Sequence, residues 1–273
     1  MKRFAIGGAE VGGPNLLVIA GPCVVEGAEM CLRVASTLKA ACSARGVSYV
    51  FKASYRKANR SSGQSFAGPP IDEALGILAR VKRELAVPVL TDVHEAGEVA
   101  AAAEVADALQ IPAFLCRQTA LLEAAARTGR AVNVKKVQFL PPADMKNVAE
   151  KLVGAGCQRL LLTERGASFG YGDLVVDMRS LVIMRELGWP VLYDATHSLQ
   201  RPGGAETGGD RKFAFPLLRA AVACGVDGIF FEAHPDPARA LSDAATQLPL
   251  ERAGAFIEEA CRVHEVVRET VRG

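Results

Sequence analysis

Three features of this 273-residue sequence predict an α/β protein built as a (β/α)8 TIM barrel. They are eight short apolar runs, helical periodicity between them, and polar groups at one end of nearly every run. The runs are LLVIAGP (16–22), YVFKAS (49–54), VPVLTDV (87–93), DALQIP (107–112), AVNVKK (131–136), RLLLTERG (159–166), PVLYDATH (190–197) and DGIFFEAHP (227–235). Short, nearly continuous apolar runs suit parallel strands buried on both faces. Between them, IDEALGILARVKREL, EAGEVAAAAEVA, TALLEAAARTG and KFAFPLLRAAVACG repeat apolar residues at helical spacing. The last two end in glycine, a common helix stop. Eight strand–helix units fit the ~250 residues of a typical barrel. A doubly wound open sheet is the alternative; it usually has fewer units, and no G-x-G-x-x-G follows the first run. The leader KRFAIGGAEVGG has glycines placed for a turn and reads as a short N-terminal β-hairpin closing the barrel floor. No long linker or low-complexity segment breaks residues 1–273, so one domain is expected.

Composition narrows the partners. A net charge of +2 gives no general affinity for nucleic acid or membrane. No apolar run reaches the roughly 20 residues that span a bilayer. The seven cysteines (Cys23, Cys31, Cys42, Cys116, Cys157, Cys224 and Cys261) are scattered without a C-x-x-C, and MKRFAIGG is no signal peptide. A reduced, cytoplasmic protein acting on small molecules is the expectation.

The polar residues mark the candidate site. Cys23 follows the first strand, and Lys52, Lys57, Asn59 and Arg60 the second. Asp92 and His94 close the third, Gln110 the fourth, Lys135 and Lys136 the fifth, and Glu164 and Arg165 the sixth. Asp194 and His197 end the seventh, Glu232 and His234 the eighth. In a barrel these ends share the face that carries active sites. Lys52, Lys57, Lys135 and Arg165 would then converge as an anion site, and Arg60 with Ser61 and Ser62 as a second phosphate site. Two phosphates and a carboxylate carry about four to five negative charges, which needs about this many cations. Arg56, Lys136 and Arg201 read at least as well as solvated rim charges. Cys23, His197, Glu232 and Asp243 offer a thiolate, an imidazole and carboxylates suited to a divalent ion such as Zn2+ or Fe2+. Spacing alone leaves this open, because a cysteine after Gly-Pro is more often buried packing.

In order along the chain, IAGPCVVE, FKASYRKANRSS, TDVHE, LQIPAFLCRQT, AVNVKKVQF, LLTERGASFGY, LVVDMRSL, YDATHSLQRPGG, FFEAHPDP and LSDAATQLPL resemble the 3-deoxy-D-manno-octulosonate 8-phosphate synthase family. The likeness runs from Leu17 to Leu250. KANRSS is the specific element; the related 3-deoxy-D-arabino-heptulosonate 7-phosphate synthases carry a shorter K-P-R-T-S there. The resemblance implies a (β/α)8 barrel, usually a homotetramer. It implies condensation of phosphoenolpyruvate with D-arabinose 5-phosphate, consuming water and releasing phosphate, in lipopolysaccharide synthesis. By motif, Lys52, Lys57, Lys135 and Arg165 would hold phosphoenolpyruvate, helped by Gln110, Pro112 and Ala113. Asn59, Arg60 and Ser61 would hold the sugar phosphate, with Arg117 reaching it across a subunit boundary. Lys52, Asn59, Asp92 and His94 are implied as catalytic, and Ser54 lies in the same substrate-binding motif. A cysteine in the AGPC position resembles the metal-dependent members, so Cys23, His197, Glu232 and Asp243 are implied as ligands. Zn2+ or Fe2+ is favoured, with Mn2+, Co2+ and Cd2+ as alternatives. The chain departs from the family pattern at Arg56 (usually Asp) and at Gly63, Gln64 and Ala67 (commonly Ile, His and Arg). The turn QRPGGAETGG reads as a candidate lid.

Three alternatives remain at the level of sequence. A heptulosonate synthase would prefer erythrose 4-phosphate, a class I aldolase would form a Schiff base on Lys52 or Lys135, and a sugar-phosphate sensor would release no phosphate.

Overall fold

The computed structural model describes residues 1–58, 66–169, 172–202 and 207–272. Along the chain run β1 (Phe4–Ile6), β2 (Ala9–Val11), β3 (Leu17–Gly21), β4 (Ser48–Lys52), β5 (Val89–Asp92), β6 (Ala108–Ile111), β7 (Ala131–Lys135) and β8 (Leu160–Glu164). Then come the short β9 (Ala167–Ser168) and β10 (Leu174–Val175), β11 (Val191–Asp194), the short β12 (Gln200–Arg201) and β13 (Gly208–Gly209), β14 (Gly228–His234) and β15 (Leu248–Pro249). The main helices are α1 (Ala28–Ser43), α2 (Ile71–Leu85), α3 (Val99–Val105), α4 (Thr119–Arg127), α5 (Met145–Gly154), α6 (Arg179–Arg185), α7 (Ala214–Ala223) and α8 (Ala253–Arg272).

Strands β3 to β8, β11 and β14 pair in parallel, neighbour to neighbour, and the ring closes where Leu192, Tyr193 and Asp194 of β11 meet Gly228, Ile229 and Phe230 of β14. This is the expected barrel, with each apolar run supplying one stave. The helices follow local chemistry. In α2, Asp72 and Glu73 occupy the first turn and Lys82 and Arg83 the last, complementing the helix dipole. Its Ala74, Leu75, Leu78 and Val81 face inward. Gly129 (φ 68°) and Gly225 (φ 82°) follow α4 and α7 in the left-handed conformation that ends a helix. The helix expected over 95–106 is shorter: Ala96–Glu98 form a 3-10 turn around Gly97, and the α-helix begins at Val99. The pairs β9–β10 and β12–β13 are additions that the apolar pattern does not announce.

The core has two layers. One lies between strands and helices. The other fills the barrel with Leu17, Ile19, Val50, Leu90, Leu161, Leu192 and Phe230, and Ile6, Ala9 and Val11 of the hairpin pack into it from below. Each fully buried side chain of this kind stabilises by about 1.5–3 kcal/mol. The hairpin's place is fixed by its neighbours, all at strand beginnings. The Glu10 N–H donates to Ser48 Oγ at 3.0 Å, Arg159 donates to the Ala5 carbonyl at 3.4 Å, and Gly7 abuts Pro88. The hairpin therefore plugs the N-terminal face, as expected, and leaves the opposite face for chemistry.

Candidate active site

Strand alternation builds the site. Inward positions carry apolar residues near the floor and polar ones toward the C-terminal rim: Lys52, Asp92, Gln110, Asn133, Lys135, Thr163, Asp194 and Glu232, all buried. Four strands are tied by a hydrogen-bonded belt. Thr163 Oγ1 donates to Asn133 Oδ1 (2.7 Å), Asn133 Nδ2 to Gln110 Oε1 (2.8 Å), and Gln110 Nε2 to Asp92 Oδ1 (2.5 Å). Ser54 Oγ completes the belt on Asp92 Oδ2. The register that puts Gln110 opposite both Asp92 and Asn133 makes this chain possible. Phe230 forms the floor, with the ammonium groups of Lys135 and Lys52 at 3.4 and 5.5 Å from its ring centre.

The expected cations converge here. Lys52 Nζ donates to Glu232 Oε1 at 2.8 Å and to the Cys23 carbonyl at 3.0 Å. Lys135 Nζ donates to Asp194 Oδ2 at 2.5 Å and lies 3.3 Å from His197 Nδ1. Lys57 Nζ stands 3.9 Å from both Glu232 Oε1 and Asp243 Oδ2. Arg165 is buried; its Nη2 donates to Gln200 Oε1 at 2.5 Å, and its Nη1 has no hydrogen-bond partner among the described residues. Burial pushes the pKa of Lys135 and Arg165 down, against the pull of Asp194. Burial also opposes the charge on Lys52, but Glu232 and Asp92 outweigh it and hold its pKa above the ordinary lysine value. A buried guanidinium donor with nothing to donate to is costly, and an anion would satisfy it.

The expected metal ligands also gather. One donor atom each from Cys23, Glu232 and Asp243 lies within 4.8 Å of the others. Cys23 Sγ is 2.9 Å from Asp243 Oδ2 and 3.1 Å from Ser242 Oγ. His197 stands one step back: its Nδ1 is held by Asp194 at 2.8 Å, while its Nε2 faces Glu232 Oε1 at 3.7 Å. One observation fits this set to a cation: Glu232 Oε2 is buried without a partner among the described residues. Asp243 sits at φ 48°, a left-handed conformation that aspartate tolerates, with Thr246 and Gln247 N–H groups donating to its carbonyl at 3.0 and 3.1 Å. Burial, then Asp243 and Glu232, push the Cys23 thiol pKa well up, so a thiolate there needs a cation beside it.

Other expected residues fall elsewhere. Pro112 and Ala113 lie just past β6 at the same rim. His94 turns toward the edge, its ring perpendicular to Tyr55 at 5.7 Å and its Nδ1 3.9 Å from Glu98; burial lowers its pKa and favours the neutral imidazole. Arg117 is exposed, outside the cluster of its own chain. Asn59, Arg60, Ser61 and Ser62, the departures Gly63 and Gln64, and positions 203–206 of the candidate lid lie outside the described residues. Arg56 and Arg201 are rim charges, paired with Glu98 at 3.0 Å and Asp173 at 2.7 Å. Lys136 is not: it is 2% exposed and lies 3.5 Å from Glu164, because it follows the strand on the face opposite Lys135. Gln200, which carries no signal of a site role in the sequence, joins Arg165 to Asp243, donating to Asp243 Oδ1 at 2.8 Å. Asp194, the counter-charge of Lys135, was visible only as a strand-end carboxylate.

Comparison with known proteins gives the family. The DAHP synthetase I family matches residues 6–269. Proteins named 2-dehydro-3-deoxyphosphooctonate aldolase are similar end to end. That of Trichlorobacter lovleyi is 53% identical over 98% of this chain and 99% of its own length. That of Syntrophobacter fumaroxidans is 52% identical over 99% and 94%, and that of a Synechococcus strain 54% over 98% and 94%. With half its residues shared across the whole barrel, the chain belongs to the 2-dehydro-3-deoxyphosphooctonate aldolase family, within the DAHP synthetase I family.

Proposed function

We propose that this chain condenses phosphoenolpyruvate with D-arabinose 5-phosphate and water, giving 3-deoxy-D-manno-octulosonate 8-phosphate and inorganic phosphate for lipopolysaccharide synthesis. The observation that carries this reading is the unpartnered, buried Arg165 Nη1 in a cavity that also holds Lys52 and Lys135. It is a preformed demand for an anion, on the barrel face where reactants bind.

Lys52, Lys57, Lys135 and Arg165 neutralise phosphoenolpyruvate and fix its plane, while the belt through Gln110 and Asp92 sets the wall beside it. Asn59, Arg60 and Ser61 receive the sugar phosphate, so the aldehyde carbon faces C3 of phosphoenolpyruvate. Holding two reactants so contributes about 7–11 kcal/mol in the most favourable cases. C3 attacks the aldehyde, water adds at C2, and the hemiketal phosphate expels phosphate by C–O cleavage. Asp92 lines the reacting end and neutral His94 stands at its edge, both as proton-handling candidates.

Cys23, Glu232 and Asp243, with His197 one step back, would hold a divalent ion, Zn2+ or Fe2+ by donor type, and this cluster supports reading the enzyme as metal-dependent. Such an ion supplies polarisation of the aldehyde or a more acidic water. A cytoplasmic homotetramer in which Arg117 serves a neighbouring site completes the reading. Among the described residues no helix is long and apolar enough to cross a membrane. Lys52 and Lys135 each sit on a carboxylate at 2.8 and 2.5 Å, and borohydride trapping of substrate on either would favour the Schiff-base alternative instead.

The test is phosphate release from phosphoenolpyruvate with arabinose 5-phosphate or erythrose 4-phosphate, with and without chelator and re-added metals. Turnover confined to the pentose phosphate and lost on chelation is expected. Preference for the tetrose defeats the acceptor assignment, and full activity in protein shown to be metal-free defeats the metal assignment.

A further inference from the structure

Lys135 and Arg165 face the cavity, and their chain neighbours Lys136 and Glu164 face away from it and meet behind the barrel wall. Lys136 Nζ lies 3.5 Å from Glu164 Oε2, and both side chains are only 2% exposed. Glu164 Oε2 also accepts from Ser180 Oγ of α6 at 2.7 Å. Its Oε1 accepts from the Gly166 N–H at 2.6 Å, so the Glu164 side chain closes a loop around Arg165. Gly166 has φ 92°, so the corner just after Arg165 takes a conformation that other residues rarely adopt. On the other strand, the Lys136 N–H donates to the Thr163 carbonyl at 2.9 Å, and Lys136 Nζ is 3.4 Å from the carbonyls of Val137 and Leu140.

A buried ion pair is a poor way to fill this space. Its desolvation cost commonly equals or exceeds its attraction, and an apolar pair of like volume would pack as well or better. Here the pair does what an apolar one cannot. It links the exits of β7 and β8, one residue beyond Lys135 and one before Arg165, and fixes the backbone that aims each cation. We propose that Lys136, Glu164 and Ser180 form a positioning device that sets the spacing between Lys135 and Arg165, and so the grip on phosphoenolpyruvate. This rests on the reading that Lys135 and Arg165 hold that substrate.

The test separates positioning from general stability. KM for each substrate, kcat and urea midpoints are compared for Glu164→Gln, Ser180→Ala and the double variant Lys136→Met/Glu164→Gln. Glu164→Gln is expected to raise KM for phosphoenolpyruvate about tenfold while KM for arabinose 5-phosphate stays within about twofold. Ser180→Ala, which keeps every charge and perturbs folding least, should give about a threefold rise on the same side only. The double variant removes both charges. It should recover stability relative to Glu164→Gln but not the phosphoenolpyruvate KM. The proposal is overturned if Ser180→Ala and whichever Glu164 variant folds leave that KM unchanged, if both KM values rise in parallel, or if KM follows the urea midpoint. An unchanged phosphoenolpyruvate KM in Arg165→Ala would instead remove the underlying assignment of the anion site, and the proposal with it.

Discussion

Lys52 and Glu232 meet at 2.8 Å, and through this contact the anion cluster and the metal-ligand cluster share a wall. Glu232 Oε1 is also 3.9 Å from Lys57 and 3.7 Å from His197 Nε2. A cation held by Glu232, Asp243 and Cys23 would offset negative charge that otherwise repels a phosphate and occupies the lysines. Metal and phosphoenolpyruvate should therefore bind cooperatively, by about tenfold, a typical coupling between linked sites. Calorimetric titration of phosphoenolpyruvate into metal-loaded and chelated protein measures this, and linkage requires phosphoenolpyruvate to tighten metal by the same factor. Equal affinities in the two states would mean that the shared wall carries no coupling.

Cys23 is the ligand most easily separated from the rest. Its backbone N–H donates to Gln247 Oε1 at 3.3 Å whatever its side chain, so Cys23→Asn should leave the loop in place. The amide cannot become anionic, and thiolate is the soft donor of the set. Metal retained after dialysis should fall from near stoichiometric to below about a tenth, with metal affinity lowered about 100-fold or more. Elemental analysis of the folded variant reads this directly. Undiminished metal content would show that the thiol is packing and not a ligand.

Acid should reach stability through Asp92, the one carboxylate of the belt. Burial favours protonation of Asp92, but Lys52 and Lys57 outweigh it and hold its pKa well below the usual carboxylate range. The folded state thus binds fewer protons at Asp92 than the unfolded chain does. Its contribution to stability is present above the unfolded value of about 3.9 and is lost as pH falls below it. The urea midpoint should be flat through neutral pH and drop below about pH 4. Asp92→Asn should be less stable at pH 7 and show a shallower acid slope. A slope identical to that of the parent would remove Asp92 from this account.

The barrel and much of its rim are legible in the sequence because both follow period-two alternation. Runs such as YVFKAS put Val50 in the core and Lys52 two residues above it on the same face. Strand-end placement then brings Lys52, Lys135, Arg165 and Glu232 to one cavity without any local motif. What was not legible depends on contacts between distant turns. Gln200 bridges Arg165 and Asp243 only because a 3-10 turn, His197–Leu199, carries it back over the rim. Lys136 looks like a rim charge beside Lys135, and only the packing of α6 against β8 shows its partner Glu164 buried behind the wall. The distinction between acceptor sugars rests on the resemblance of KANRSS to one family's motif, which no periodicity could supply.

The hairpin offers the cleanest separation of stability from chemistry. Ile6 is fully buried against the lowest layer of the barrel, where Leu17, Leu90, Leu161 and Leu192 meet, and its strand lies against strand beginnings, opposite the catalytic rim. Ile6→Ala removes three methyl or methylene carbons and leaves a cavity that the closed ring of strands resists filling. The loss should be about 3 kcal/mol, read as a lower urea midpoint with an unchanged slope. Under conditions where the variant is folded, the KM for both substrates should match the parent, because the polar belt and Phe230 lie between the cavity and the cations. A shift in KM at full folding would show that the floor transmits strain to the rim, and that the two ends of the barrel are not mechanically independent.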